Sequence, residues 1–373
     1  MNTTPHRRDK EASVALRHIS LALQGGGSHG AFTWGVLDTL LQDERIVIDG
    51  ISGTSAGAVN AVALAQGFIS RLNITAGNSP PDTAAVVETD REVARQTLAQ
   101  LWKGIETIGS LGTMAQGVMR LFFGGLDPGA LGGGLRGGSM SRWISPYQVN
   151  PLDINPLRKL LDDLIDFEAL GQLKTPKLFA SATHVRTGQA AIFSGKRLTL
   201  AAVMASACLP TVFQAVEIDG EHYWDGGFSA NPSLTPLIDA CESRDIVLVQ
   251  INPLKHADTP RGPQEITDRV NELTFNASLL SQMRGIDFIN RMIETGQLEE
   301  SAKYKQLRLH RIDGGKAMEE WPASSKMSTD GAMIAKLFEL GQTSAQQWLA
   351  RNLDALGQKS SIDIRRDYVS RMR

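Results

Sequence analysis

A serine flanked by glycines, in the pentapeptide GTSAG at residues 53–57, is the feature that most constrains the fold of this chain. It follows an apolar, β-branched segment at 46–51 and precedes an alanine-rich stretch at 56–66. This pattern is typical of a serine presented on a tight strand-to-helix turn, where a Cβ at either glycine would collide with a neighbouring element. The pentapeptide therefore predicts a strand, a sharp turn and a helix, with Ser55 as a candidate nucleophile.

A glycine-rich loop, GGGSHG at residues 25–30, lies between an apolar segment at 19–23 and apolar residues at helical spacing over 31–41. Consecutive glycines let backbone N–H groups turn towards one point at the positive end of a helix, which favours an anion. In acyl transfer, that anion is the oxygen of the tetrahedral intermediate. Because the order is β-α-β-α, adjacent parallel strands are expected to bring this loop beside Ser55.

The same loop also matches G-x-G-x-x-G, the phosphate-binding pattern of dinucleotide sites. Asp49 lies close to the distance downstream at which an acid that binds the ribose is expected. A dinucleotide-binding protein is therefore one alternative. We favour a hydrolase, because Ser55 follows the next strand and Asp225 lies further along the chain.

The later segments continue to alternate between strands and helices. Strands are predicted at 177–183, 190–193, 246–251 and 307–312, and Asp219-Gly220 predicts a hairpin turn. Together with the β-α-β-α start, this order predicts a three-layer α/β/α fold with a mainly parallel central sheet.

The domain prediction is a single α/β hydrolase domain over residues 18–357. Residues 1–17 are expected to be a disordered lead-in, and residues 358–373 a solvated tail. A glycine-rich insertion around 69–150 interrupts the domain, and its densest part, 124–138, is interpreted as a linker or as a mobile apolar cap.

The bulk composition excludes some functions. The formal net charge is -2, so no global field attracts nucleic acid. Cys208 and Cys241 fit neither a metal site nor a disulfide framework, which indicates a reducing compartment. Without a signal peptide or a clear membrane span, the prediction is a cytoplasmic protein, with peripheral attachment to the membrane left open.

The nucleophile needs a base within hydrogen-bond reach, because a serine hydroxyl is unreactive at neutral pH. Asp225 ends a predicted strand and runs into Gly226-Gly227, so it is held on one side and accessible on the other. A Ser-Asp-His triad of the α/β-hydrolase type is a second alternative, with His256 or His310 as the histidine.

Taken in order, the glycine loop, the serine turn and Asp225-Gly226-Gly227 resemble the bacterial-type patatin-like phospholipase family. Ala205-Ser206 and Pro210 match the A-S-x-x-x-P stretch of that family, and the resemblance spans about 21–231. It implies a patatin-like fold and a lipid acyl hydrolase that uses a Ser-Asp dyad without histidine.

The resemblance also implies residue roles. Ser55 would be the nucleophile and Asp225 the base, with Gly25, Gly26 and Gly27 forming the oxyanion hole; no cofactor or metal is needed. An aspartate of ordinary pKa, about 3.9, is a poor base, so Asp225 is expected in a partly desolvated site. The family commonly has Arg or Lys where this chain has His29, so His29 is left out of the catalytic set.

The implied substrates are carboxylic esters of lipids, cleaved by a phospholipase A, lysophospholipase or esterase type of enzyme. Contact with a lipid surface is expected through apolar residues of the 69–150 insertion. Nucleic acid is not expected as a partner, and the sequence makes no prediction of oligomeric state.

Overall fold

The computed structural model describes residues 15–70, 72, 83–110, 145–255, 258–322, 325–326 and 328–369. The predictions for residues 1–14 and for the glycine-rich segment 124–138 lie outside these ranges. In the described part, the strands are β1 (Arg17–Leu23), β2 (Ile46–Thr54), β3 (Lys177–His184), β4 (Ala190–Ser194), β5 (Val216–Ile218), β6 (Glu221–Asp225), β7 (Asp245–Gln250) and β8 (Arg308–Asp313).

The helices surround these strands. They are α1 (Gly30–Gln42), α2 (Ala56–Gln66), α3 (Thr83–Ser110), α4 (Pro146–Val149), α5 (Pro156–Leu164), α6 (Phe167–Gln172), α7 (Leu200–Ser206), α8 (Thr235–Ala240), α9 (Pro263–Glu294), α10 (Gly315–Glu319), α11 (Gly331–Asn352) and α12 (Ile364–Tyr368).

The strands form one sheet in the order β5-β6-β3-β2-β1-β7-β8, with β4 also paired to β3. Neighbouring strands from β3 to β8 along this order are parallel, whereas β4, β5 and β6 pair antiparallel at one side. The prediction of a mainly parallel central sheet flanked by helices is therefore confirmed.

The two faces of the sheet carry separate apolar clusters, because side chains alternate along a strand. In β1, Leu21 and Leu23 join the cluster under α1, α2, α3 and α11. Ala22 points to the other face and joins the cluster under α8, α9 and α12. Strand β7 divides in the same way, so both faces are buried and three layers result.

The sheet register places the two predicted loops side by side. Leu23, the last residue of β1, pairs with Gly53 near the end of β2. The glycine loop and Ser55 therefore leave the carboxyl ends of adjacent parallel strands, where open α/β sheets commonly place their ligand sites.

The expectation of a solvated tail over 358–373 is wrong for the part that the structure describes. Ile364 and Tyr368 are buried, and their spacing of four residues places them on one face of α12. The Tyr368 hydroxyl donates a hydrogen bond of 2.7 Å to Gln250 Oε1. The prediction gave most weight to the arginines of this segment and overlooked the apolar residues at helical spacing, through which the segment packs onto the sheet.

Candidate functional site

Ser55 lies on a sharp turn between β2 and α2. Its φ angle of 54° is in the left-handed region, which a side chain other than glycine adopts only when the surroundings compel it. The Ser55 amide donates to Ser206 Oγ at 2.9 Å, and Ser206 Oγ donates to the carbonyl of Ser181 at 2.7 Å. These hydrogen bonds join the turn to α7 and β3.

The two flanking glycines are sterically required. A Cβ on Gly53 would lie 2.4 Å from the carbonyl oxygen of Gly57. A Cβ on Gly57 would lie 2.3 Å from the carbonyl oxygen of Leu23, in the neighbouring strand. Real Cβ atoms do not approach so closely, so the GTSAG pattern reflects the crowding at this turn.

Asp225 is the last residue of β6 and is only 1% exposed. Its Oδ1 accepts a hydrogen bond of 2.7 Å from the Gly227 amide, and its carboxylate interacts with the Ser55 hydroxyl. Within the described residues, Oδ2 has no hydrogen bond of standard geometry. The structure therefore brings Ser55 and Asp225 together, as the sequence predicts.

Burial raises the pKa of Asp225 from 3.8 to about 7. The Gly227 amide and the Ser55 hydroxyl lower this pKa, but burial outweighs them. Glycine is again needed next to the acid, because a Cβ on Gly226 would lie 2.1 Å from the Ser181 carbonyl oxygen. With this pKa, the Asp225 carboxyl group is divided between its protonated and ionised forms near neutral pH.

The glycine loop faces the same space. The Gly25 amide donates to Asn231 Oδ1 at 2.7 Å. The amides of Gly26 and Gly27 have no hydrogen-bond partner in the described part of the chain. Two backbone donors in the loop that precedes α1 are therefore available. The sequence contained no signal for Asn231 as the residue that holds the loop.

A cavity of about 450 Å³ contains this group of residues. Its polar wall includes the glycine loop, Ser55, Asp225, Asn231 and Lys326, and most of the wall is apolar. Trp102 and Leu157 contribute to that wall, as does Phe275 of α9. Such a cavity accommodates an apolar chain whose reacting group lies at Ser55.

Two basic side chains lie at the glycine loop. Burial, with Lys326 nearby, lowers the pKa of His29 to about 3, so His29 is neutral. Ser325 Oγ donates to the Pro322 carbonyl, and His29 Nε2 lies 2.8 Å from Ser325 Oγ. Burial lowers the pKa of Lys326 to about 8, and Lys326 Nζ donates to Asn252 Oδ1 at 2.6 Å. Sequence reasoning did not identify Lys326.

Neither alternative site is assembled by the residues that the structure describes. No histidine of the described ranges lines the cavity, and His256 lies outside those ranges. His310 is buried in β8, where Nε2 lies 2.9 Å from Asp245 Oδ1. Asp49, the candidate ribose ligand, instead accepts hydrogen bonds from the backbone amides of Glu242 and Ser243, at 2.6 and 2.9 Å. Both hydrogen bonds go to Asp49 Oδ2 and hold this side chain against the segment that precedes β7.

The described residues contain no cluster of three or more His, Cys, Asp or Glu side chains arranged to hold a metal ion. No helix in these ranges is both long and apolar enough to cross a membrane.

The fold and the site together define a mainly parallel α/β protein with a serine on a strand-to-helix turn. The family model described as patatin-like phospholipase matches residues 21–238, more than half of the chain, so the protein belongs to that family. The resemblance inferred from the motifs is confirmed, and membership implies lipid acyl hydrolase activity.

The solved structures that are similar to this chain include VipD from Legionella pneumophila. VipD is 16% identical, and the match covers 95% of this chain and 73% of VipD with a TM-score of 0.39. No curated protein matches the chain.

Proposed function

We propose that this protein is a serine acyl hydrolase that cleaves carboxylic esters of lipids through a Ser55–Asp225 dyad. The observation that carries the proposal is the contact between the Ser55 hydroxyl and the buried Asp225 carboxylate. A carboxylate whose pKa is near 7 is a far better base than an exposed one.

The reaction has two steps. Ser55 Oγ attacks the ester carbonyl while its proton passes to Asp225. The tetrahedral intermediate then expels the alcohol, which takes the proton from Asp225, and the acyl group remains on Ser55. Water attacks this acyl-enzyme, and Asp225 first accepts a proton from the water and then returns it to Ser55 Oγ as the fatty acid leaves.

The backbone amides of Gly26 and Gly27 are proposed as the oxyanion donors. One well-aimed donor contributes about 3–4 kcal/mol to stabilising such a transition state. Gly25, which the resemblance implies as part of the same hole, donates its amide to Asn231 instead. In this proposal, Gly25 anchors the loop and the next two residues bind the oxyanion.

The cavity walls and their surroundings support a lipid substrate of the phospholipase A, lysophospholipase or esterase type. The walls are predominantly apolar, which suits an acyl chain. Helix α9, which lines the cavity through Thr267 and Phe275, also exposes Ile266, Val270 and Leu273. We propose that these side chains contribute to peripheral contact with lipid. The 69–150 insertion was first expected to make this contact, and its residues 111–144 lie outside the described ranges.

Labelling with a fluorophosphonate tests the proposed nucleophile, since the probe reacts quickly only with an activated serine. We expect peptide mass spectrometry to find the probe on Ser55, and we expect Ser55→Ala to lose both labelling and hydrolysis of p-nitrophenyl butyrate. Ser194→Ala, on β4 of the same sheet, is the matched control and should keep both. Absence of label on Ser55 in the folded wild-type protein would contradict the proposal.

A further inference from the structure

The cavity beside Ser55 contains a lysine that belongs to neither the dyad nor the glycine loop. Among the described residues that line the cavity, Lys326 is the only one with a cationic side chain. It lies well beyond the family match, which ends at residue 238. Lys326 therefore contributes to the site from the C-terminal part of the chain.

Lys326 is joined to the glycine loop through Asn252. Lys326 Nζ donates to Asn252 Oδ1 at 2.6 Å, and Asn252 Nδ2 donates to the Gly25 carbonyl at 3.0 Å. Gln24 Oε1 accepts two hydrogen bonds from Asn252. The backbone amide of Asn252 donates at 2.9 Å, and its side-chain Nδ2 donates at 3.2 Å. Because Asn252 is held on several sides, it fixes the position of the ammonium group relative to the loop.

The main chain of Lys326 also packs directly on the loop. Gly27 has a φ angle of 55°, and a Cβ there would lie 2.2 Å from the Lys326 carbonyl oxygen. Gly27 is thus needed both for its backbone conformation and for this close approach. The loop that offers the free amides and the segment that carries Lys326 form one packed unit.

Lys326 is the charged basic group at this loop. His29 is neutral because burial and Lys326 hold its pKa at about 3. On α9, Asp268 and Glu272 face Lys326 and raise its pKa, while burial lowers it more strongly, to about 8. Below that pH the side chain carries a positive charge in a desolvated position, where its electrostatic effect is large.

The ammonium group does not neutralise the base. Burial, the Gly227 amide and the Ser55 hydroxyl set the pKa of Asp225, and Lys326 is not among the groups that shift it. Through Asn252, Lys326 is instead joined to the glycine loop, which the proposed function assigns to the carbonyl oxygen on which negative charge develops. An ammonium group has three donors, and Asn252 accepts from one of them.

We infer that Lys326 is a further catalytic residue, whose ammonium group stabilises the oxyanion together with the amides of Gly26 and Gly27. This inference depends on the proposed hydrolase function. In the transition state, the carbonyl oxygen gains the charge that Lys326 attracts, whereas the ground-state ester is neutral. The effect therefore falls on kcat more than on KM.

Lys326→Met tests this role, with Lys305→Met as the matched control. Lys305 is also partly buried, but it donates to the carbonyls of Ile238 and Cys241 and does not line the cavity. With p-nitrophenyl butyrate at pH 7.5, we expect Lys326→Met to lower kcat by about 10²-fold with KM changed less than about threefold. Lys305→Met should keep the wild-type kcat.

The pH profile separates a catalytic charge from a merely structural lysine. As Lys326 loses its proton, the wild-type kcat should fall above about pH 8. Lys326→Arg keeps a cation at all these pH values, so its kcat should show no decline up to about pH 10. Thermal melting of each variant shows whether it is folded. If Lys326→Met does not fold, the pH dependence of kcat in Lys326→Arg decides whether the charge of residue 326 is catalytic.

Two results would overturn the inference while leaving the hydrolase proposal intact. One is a folded Lys326→Met variant with wild-type kcat, and the other is an unchanged alkaline decline in Lys326→Arg, each in protein whose Ser55 reacts with the fluorophosphonate. If wild-type Ser55 does not react, the proposed function itself fails, and the role of Lys326 fails with it.

Discussion

Two buried aspartates of the same sheet differ in their surroundings. Asp225 ends β6 and Asp245 begins β7, and they are 1% and 2% exposed. Asp245 accepts hydrogen bonds from Arg308 at 2.7 Å and has His310 at 2.9 Å, and these partners lower its pKa to about 2 despite burial. Asp225 has no cationic partner among the described residues, and burial raises its pKa to about 7.

The difference shows that burial alone does not define a reactive carboxylate. At the amino end of β7, a buried acid with a guanidinium group and an imidazole stays ionised and stabilises the fold. At the end of β6, beside Ser55, the acid accepts a hydrogen bond from the Gly227 amide and interacts with the Ser55 hydroxyl, and neither partner is a cation. The second arrangement is costly for stability, which is typical of groups retained for chemistry.

Activity should distinguish the two aspartates most strongly. Asp225→Asn removes the proposed base without changing the side-chain shape, so we expect kcat for p-nitrophenyl butyrate to fall by about 10⁴-fold. Asp245 does not line the cavity, so the kcat of Asp245→Asn should stay within about threefold of the wild-type value. This kcat is measured at a temperature where the variant is folded. Comparable losses of kcat in the two variants would remove the contrast between the sites.

The free energy of unfolding should change in opposite directions in the Asp245→Asn and Asp225→Asn variants. At pH 8, Asp245→Asn leaves Arg308 without its buried partner, and we expect the free energy of unfolding to fall by about 3 kcal/mol. Asp225→Asn removes a carboxylate that burial disfavours, so we expect a gain of about 2 kcal/mol. This is less than the approximately 4 kcal/mol that a pKa of about 7 represents, because the amide is buried too.

The pH dependence of the Asp225 contribution follows from its raised pKa. Between about pH 4 and 7 the folded protein binds the Asp225 proton more tightly than the unfolded chain does, so stability from this group falls as pH rises. The increase in the free energy of unfolding caused by Asp225→Asn should therefore be small at pH 4 and reach the value given above at pH 8. Urea unfolding at the two pH values measures it, and a gain that does not depend on pH would contradict a raised pKa.

Local patterns in the sequence predicted the layered fold and most of the candidate site. The strand segments with their glycine turns predicted a mainly parallel sheet, and the order of the motifs identified the family. Gly53, Gly57 and Gly226 are glycines because of contacts made at the site itself. A motif of this kind can be recognised in sequence because the crowded geometry permits few other residues.

The residues that support the site could not be predicted in the same way. Asn231, Asn252 and Lys326 act through single contacts made across the fold, and nothing in their neighbouring residues indicates those contacts. Ser206 was identified only as part of a family pattern, although its hydroxyl oxygen accepts a hydrogen bond from the Ser55 backbone amide. Asp49 had the right spacing for a ribose ligand, but spacing did not show that the amides of Glu242 and Ser243 bind one of its carboxylate oxygens.

A direct measurement of the Asp225 pKa tests the central claim. In protein labelled with ¹³C at the aspartate carboxyl groups, NMR spectra recorded from pH 4 to 9 follow each carboxylate, and Asp225→Asn assigns the resonance. The account predicts one aspartate resonance that titrates near pH 7 and is missing from the Asp225→Asn spectrum. An Asp225 resonance that titrates below about pH 5 would contradict it.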